Sequence, residues 1–180
     1  MRVNDSFIRT FGYVTLNAVR RRPAFVTSAF ALMVIGTGLV ISGAPADAAS
    51  SRHHRSQVAN VIRMTNQARA RAGCRPVTPS RSLSNAAYQH SRDMANNHYF
   101  SHYNRFGSGP GNREWSAGYR WNAYGENIAW GQRDASSVMN AWMNSPGHRQ
   151  NILNCRYRNV GVGVAYNSRG VPYWTQDFGA

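Results

Sequence analysis

The chain has only two glutamates, Glu114 and Glu126, and the second sits inside Tyr124-Gly125-Glu126-Asn127-Ile128-Ala129-Trp130-Gly131. With Ile128, Ala129 and Trp130 directly behind it, this carboxylate is poorly placed for a surface charge. An ionised, half-buried carboxylate needs partners, because desolvation without compensation is costly. Two histidines suit it: His102, after Tyr99-Phe100-Ser101, and His148, after Ser145-Pro146-Gly147. The reading is that Glu126 draws His102 and His148 into one cleft, so the fold must bring three distant segments together.

At 180 residues the chain has room for one domain and a tail. Its net charge is +14, and arginine supplies all of the Lys+Arg count of 21. The arginines are scattered rather than clustered with aromatics on one face, so a nucleic-acid interface is not expected. The charge is read as solubility and attraction to anionic surfaces. A monomer is expected.

The first 48 residues differ from the rest. Arg20-Arg21-Arg22 precedes an apolar run from Pro23 to about Ile41, and Ala46-Asp47-Ala48 follows. A basic stretch, an apolar stretch and a small-residue ending make a secretory signal, with cleavage after Ala48. The alternative is an uncleaved membrane anchor, since the run is about long enough to span a bilayer. Residues 49–55, with His53 and His54, read as a flexible basic leader. The two cysteines, Cys74 and Cys155, both fall in the exported part and read as a disulfide.

Beyond that leader, residues 56–180 read as one domain. Val58, Val61, Ile62, Thr65 and Ala68 make one helical stripe over Ser56–Ala72, and Gly73 stops it. Leu83, Ala86, Ala87, His90 and Met94 line a second helix over Ser82–Asn97, with His90 read as a core residue. Residues 103–122 read as a Gly-rich, irregular loop. Asp134 caps a third helix to about Asn144, and a short turn follows at His148–Ile152. Val160–Tyr166 and Val171–Phe178 form a hairpin turned at Asn167-Ser168-Arg169-Gly170, and Tyr124–Gly131 can supply a third strand. The order predicts an α+β layered domain.

Several ordered motifs together resemble the CAP superfamily, the group of cysteine-rich secretory proteins, antigen 5 and pathogenesis-related 1 proteins, in its bacterial secreted branch. They are Tyr99-Phe100-Ser101-His102, Gly125-Glu126-Asn127-Ile128-Ala129, Trp142-Met143-Asn144-Ser145-Pro146-Gly147-His148-Arg149-Gln150-Asn151-Ile152-Leu153 and Tyr173-Trp174-Thr175-Gln176-Asp177-Phe178-Gly179. The resemblance implies a three-layer α-β-α sandwich with a small antiparallel sheet between helices, and a secreted location. It also implies a His and Glu cleft able to hold a divalent metal, onto which His102 and Glu126 map. Two residues of the eukaryotic set are missing: Tyr173-Trp174 precede Thr175-Gln176 where a second His is expected, and no acid follows Trp142.

The candidate chemistry is open at this point. His102, Glu126 and His148 could ligate Zn or another divalent cation with one open position. They could instead transfer protons in a cell-envelope hydrolase, with Ser101 or Ser145 as nucleophile, although no strained Gly-x-Ser-x-Gly elbow is present. Alternatively Glu126 only pins three segments together. A glycosidase is poorly supported, because Glu126 lacks an evident acidic partner. As a binding module, the domain could take a lipid or sterol in a groove lined by Trp115, Tyr119, Trp121, Tyr124 and Trp130. An anionic cell-wall polymer is the other candidate partner.

Overall fold

The computed structural model describes residues 46–180. The expected signal or anchor segment lies outside the described residues up to its small-residue end. In chain order the elements are α1 (Ala46–Arg71), β1 (Thr78–Pro79), α2 (Arg81–Asn97), α3 (Pro110–Ser116), β2 (Tyr124–Trp130), α4 (Ala135–Met143), α5 (Pro146–Ile152), β3 (Asn159–Tyr166) and β4 (Pro172–Gly179).

The first helix starts earlier than the sequence reading had it. Residues 49–55, read as a flexible leader, belong to α1. Between Pro45 and Gly73 the chain holds no proline or glycine, so nothing interrupts the helix once it has begun. The cleavage point expected after Ala48 therefore falls inside α1. The helix buries Val61, Thr65 and Arg69 at four-residue spacing and ends at Gly73, whose φ of +75° is open to glycine at little cost. Two polar side chains on α1 then set the following loop. Asn66 accepts from the Val77 amide at 2.8 Å and donates to the Val77 carbonyl at 3.0 Å. Arg69, fully buried, donates to the carbonyls of Arg75, Ile152, Asn154 and Tyr157. Beside it Cys74 and Cys155 form the expected disulfide, tying the same two segments covalently. We predict that Asn66→Ala, which removes the Val77 clamp and nothing else, costs about 1–3 kcal/mol in urea denaturation.

The four strands lie in the order β1-β3-β4-β2. The expected hairpin is β3–β4, and Tyr124–Trp130 is the third strand, antiparallel to β4. The two-residue β1 adds a short parallel pairing to β3. Strand alternation sorts the sheet into two faces. Val160, Val162, Val164, Trp174, Phe178 and Ala129 meet Val61, Val138, Met139, Trp142 and Ile152, so α1, α4 and α5 cover one face with the main core. On the other face, Ala165, Tyr173 and Ile128 meet Met94 and Ala95 of α2. The result is the expected α-β-α sandwich.

The α2 layer lies unusually close. A Cβ at Gly161 would stand 2.1 Å from the Leu83 carbonyl carbon, and one at Gly163 would stand 2.3 Å from the Tyr88 amide nitrogen. Two bare positions on β3 thus let helix backbone rest on strand backbone, and Ala86 and Ala87 extend that contact. Ser80 caps α2, its hydroxyl accepting from the Leu83 amide. Asp134 and Ser137 form a reciprocal capping box on α4, as expected of Asp134.

Candidate functional site

The sheet register determines what surrounds Glu126. Glu126 on edge strand β2 pairs with Asp177 on β4, which pairs in turn with Gly161 on β3. Residues directly opposite share a face, so the two acids stand side by side on the α2 face.

The Glu126 side chain is only 1% exposed. His102 Nδ1 donates to Oε1 at 2.6 Å, and Arg113 Nη2 donates to Oε2. Arg113 also donates through Nη1 to the carbonyls of His102 at 2.8 Å and Ser108 at 2.9 Å. One guanidinium therefore holds the carboxylate, the histidine segment and the loop before α3. Burial by itself would raise the Glu126 pKa, but the His102 hydrogen bond and the Arg113 charge outweigh it and hold the carboxyl below its ordinary value.

Two further acids complete the cluster. Glu114, next to Arg113 on α3, is fully buried; desolvation, then the negative charge of Glu126, push it up to about 8. Asp177 is 1% exposed and is raised well above the usual range, by burial first and then by Glu126 and Glu114. At neutral pH Glu126 is the anion and Glu114, pushed up to about 8, keeps its proton, while Asp177 is pushed in the same direction as Glu114. On α2, His90 donates from Nε2 to the Ser101 carbonyl at 2.9 Å and stands 4.0 Å from Glu126. Burial lowers its pKa more than Glu126 raises it, so it is neutral.

Sequence reading found one of the two expected imidazole partners. His102 is on the carboxylate, but no ion pair joins His148 to it among the described residues. The reason is strand parity. Asn127 points away from Glu126, toward α5, and its amide donates to the His148 carbonyl at 3.2 Å. Asn151 on α5 donates to the Glu126 backbone carbonyl at 3.0 Å and to the Asn127 side-chain Oδ1 at 2.9 Å. These bonds dock α5 on the opposite face, and the His148 ring reaches only the neighbourhood of His102. Its pKa is lowered by partial burial and then by His102. Arg113 takes the place expected for His148.

That arrangement decides the fit of a metal. Both Glu126 oxygens already accept from His102 and Arg113, and no three His, Cys, Asp or Glu side chains among the described residues are placed to hold an ion. The set His102, Glu126 and His148 does not fit Zn or another divalent cation as it stands. The serine nucleophile reading lacks a base as well. Ser101 Oγ accepts from the Tyr103 amide, and neither it nor Ser145 bonds an imidazole among the described residues.

Sequence reasoning missed Arg113, Glu114 and Asp177, and assigned His90 only to the core. The stretch read as a loop at 103–122 contains α3, begun by Pro110 at its first position, which carries Arg113 and Glu114. Pro110 was the available signal. Glu126, expected to lack an acidic partner, has two acidic neighbours, Glu114 and Asp177.

The five aromatics do not line one groove. Trp121 and Tyr124 pack together at 4.5 Å over Gly111. Tyr119 covers Gly179 and donates to Asn159 Oδ1. Trp115 is exposed and stacks with the Arg120 guanidinium at 3.9 Å. Trp130 lies against Tyr173 toward the other end of β2. The cleft that adjoins Glu126 lies between α2 and the 104–117 segment. It encloses about 410 Å³ and is lined mainly by polar groups, including Gln89, His90, Arg92, Asn104 and Arg113, with Phe106 at its mouth, 88% exposed.

A sheet between helical layers, a disulfide, and a buried Glu held by His and Arg define an SCP-type domain. The chain belongs to the cysteine-rich secretory protein family, CAP, whose pattern it matches over residues 62–178. It is similar to the uncharacterized protein YkwD of Bacillus subtilis, 38% identical over 118 residues covering 66% of this chain and 45% of that protein. An uncharacterized membrane protein of the same organism, YlbC, is 32% identical over 118 residues, 66% of this chain and 33% of its own length. Both relatives are therefore more than twice as long as the stretch they share with this chain. Among solved structures, an extracellular SCP-domain protein of Bacillus anthracis superposes with TM-score 0.69 at 29% identity, over 77% of this chain and 45% of that one. An outer surface protein of Borrelia burgdorferi shares the fold with TM-score 0.64 at 20% identity, over 69% of this chain and 92% of that one.

Proposed function

We propose that this CAP domain is an exported binding module that takes a polar, anionic polymer of the cell envelope in the cleft between α2 and the 104–117 segment. The observation that carries the reading is the lining of that cleft: Arg92, Gln89 and Asn104 present hydrogen-bond donors there, the one carboxylate in the lining, Asp93, is taken up by Asn97 and the Tyr99 hydroxyl, and Phe106 offers an exposed ring at the mouth. Such a lining favours an anionic glycan or polyol chain over a sterol or lipid. The burial of three of the seven acidic residues strengthens it. With Glu114 held as a neutral acid, the protein is more cationic than its formal +14. Long-range attraction to an anionic polymer follows. An extracellular location is supported by the basic and apolar leader, by the disulfide, and by the extracellular description of the Bacillus anthracis neighbour.

In this reading Glu126 acts as a tether. Through His102 and Arg113 it fixes the loop and helix that form one wall of the cleft. A second reading, hydrolysis, has one observation in its favour: His102 is 46% exposed, with its Nδ1 oriented by Glu126 and its Nε2 left toward solvent. That is the geometry of an oriented general base.

One experiment separates the readings. The full chain is cosedimented with purified anionic wall polymer at low and high salt. Most of the binding is expected to disappear at about 1 M salt, where the screening length falls to about 3 Å, and Arg92→Ala is expected to weaken it at low salt. Salt-independent binding, or quenching of tryptophan fluorescence by a sterol or fatty acid with no polymer binding, would overturn the proposal. Release of polymer fragments that stops in His102→Ala would replace it with hydrolysis.

A further inference from the structure

A larger cavity lies at the other end of the sheet. It encloses about 740 Å³ and is lined by Ser50, His53 and His54 of α1, by Gly131 and Arg133 after β2, and by Tyr166 and Arg169–Pro172 around the β3–β4 turn. Along β4, Pro172 is five residues from Asp177, about 17 Å of extended strand. The cavity is therefore separate from the cleft beside Glu126, and it does not depend on what that cleft takes.

Its chemistry is one-sided. Three elements contribute guanidinium and imidazole groups: Arg133, Arg169, His53 and His54. No acidic residue is among those lining it. Asp134, next to Arg133, is engaged elsewhere, accepting from the Ser137 amide and hydroxyl in the α4 cap. The His54 ring stacks on Tyr166 with centroids 5.0 Å apart and an interplanar angle of 16°. This stack seats the first turns of α1 against the hairpin. Pro172 is buried and Val171 half-buried, giving the floor an apolar strip.

A metal does not suit these residues. Neighbouring histidines on a helix diverge, and the two rings are 6.4 Å apart and tilted by 56°. The lining supplies no third ligand of the His, Cys, Asp or Glu type. An anion suits them. Guanidinium groups arriving from two loops, with imidazoles from a helix, can address oxygens pointing in several directions, as on a tetrahedral phosphate.

We infer that the cavity between the start of α1 and the β3–β4 turn is a second binding site, for a phosphate group, with Arg133 and Arg169 as its cations and the imidazoles of His53 and His54 as further donors. The apolar strip accommodates the carbon chain next to the phosphate. The phosphate can come from a soluble ester or from a lipid headgroup, and the same lining serves both. His54 starts out neutral, its pKa lowered by burial and then by His53. A bound anion favours the protonated ring, so the His54 pKa rises on binding. The other charged or titratable groups that line the cavity are Arg133, Arg169 and Tyr166.

The test is a titration of the full chain with inorganic phosphate at constant ionic strength, following the imidazole proton signals by NMR. A saturable shift of the His54 signals is expected. It should be weakened about tenfold or more by Arg133→Gln with Arg169→Gln, which corresponds to about 1.4 kcal/mol, and left unchanged by Arg92→Gln in the distant cleft. The titration midpoint of the His54 ring should move up when phosphate is bound. A parallel arm uses phosphatidylglycerol vesicles. Vesicle binding that free phosphate competes away identifies the headgroup as the source, and phosphate binding without vesicle binding identifies a soluble ester; both support the site. A shift reproduced by chloride, or one that survives the double substitution unchanged, overturns it.

Discussion

Gly163→Ala is expected to destabilise the domain by at least about 3 kcal/mol, and Gly161→Ala by a similar amount, in urea denaturation at neutral pH. The new Cβ at position 163 would stand 2.3 Å from the Tyr88 nitrogen and 2.4 Å from its Cα, both backbone atoms of α2. Carbon atoms pack at about 3.5–4.0 Å, and no rotamer change can relieve a clash with backbone. The helix must therefore lift by more than 1 Å or the strand must bend. Lifting α2 breaks the two bonds of Ser91, to the Gly163 carbonyl and the Thr175 hydroxyl, and opens the Met94–Ile128–Tyr173 cluster. It also moves His90 away from Ser101. The control is Gly170→Ala in the hairpin turn, where φ is +73° and no atom lies within 4 Å; backbone strain alone should cost about 1 kcal/mol there. A loss below about 1 kcal/mol at position 163 would mean that α2 does not rest on β3 as described.

The two glycines show how far the sequence could be read. Their place in a β-rich stretch was visible, but not what they approach, because that depends on which helix crosses the strand. The elements themselves were legible because each carries a local signal: the Val61–Thr65–Ala68 stripe, Asp134 before α4, and the Asn167–Gly170 turn. The His102–Glu126 contact was legible because a carboxylate backed by Ile128, Ala129 and Trp130 must find a partner. The identity of the second partner was not. His148 was the only second donor read from the sequence, and the β2–β4 register and the side on which Asn127 holds α5 put Arg113 there instead. Asp177 was hidden for the same reason: an acid within Thr175–Phe178 is unusual, but nothing local says that it faces Glu126. The start of α1 was misread because a polar, basic composition suggests a solvated tail, whereas continuity of helix depends on the absence of breakers.

The acid cluster makes the pH dependence of stability informative. In the unfolded chain Glu114 has its ordinary pKa of 4.5, and in the folded chain it is pushed up to about 8. Between those values the folded protein keeps a proton that the unfolded chain has released. Glu114 therefore favours the folded state fully below pH 4.5, and its contribution falls by about 1.36 kcal/mol per pH unit until about pH 8, above which it is flat. Over the whole window the loss is up to about 5 kcal/mol by that scale. Asp177, also raised, acts in the same direction, while His90 and Glu126, both lowered, act in the opposite one. The raw profile mixes these groups with His54, His148 and Asp134, all lowered, so the informative quantity is the difference between Glu114→Gln and the parent chain. Glutamine keeps the shape and cannot ionise. The variant should match the parent near pH 4.5 and become more stable by several kcal/mol at pH 8–9, read from urea midpoints across that range. Parallel profiles for the two proteins would mean that Glu114 does not carry the buried proton. The consequence for binding follows from geometry. Glu114 is on the same helix as Arg113, so ionising it sets a second negative charge beside Glu126 and favours release of α3 from the sheet. Arg113 and Ser116 line the cleft from that helix, and ligand affinity in the parent chain should therefore fall on the alkaline side while that of Glu114→Gln holds.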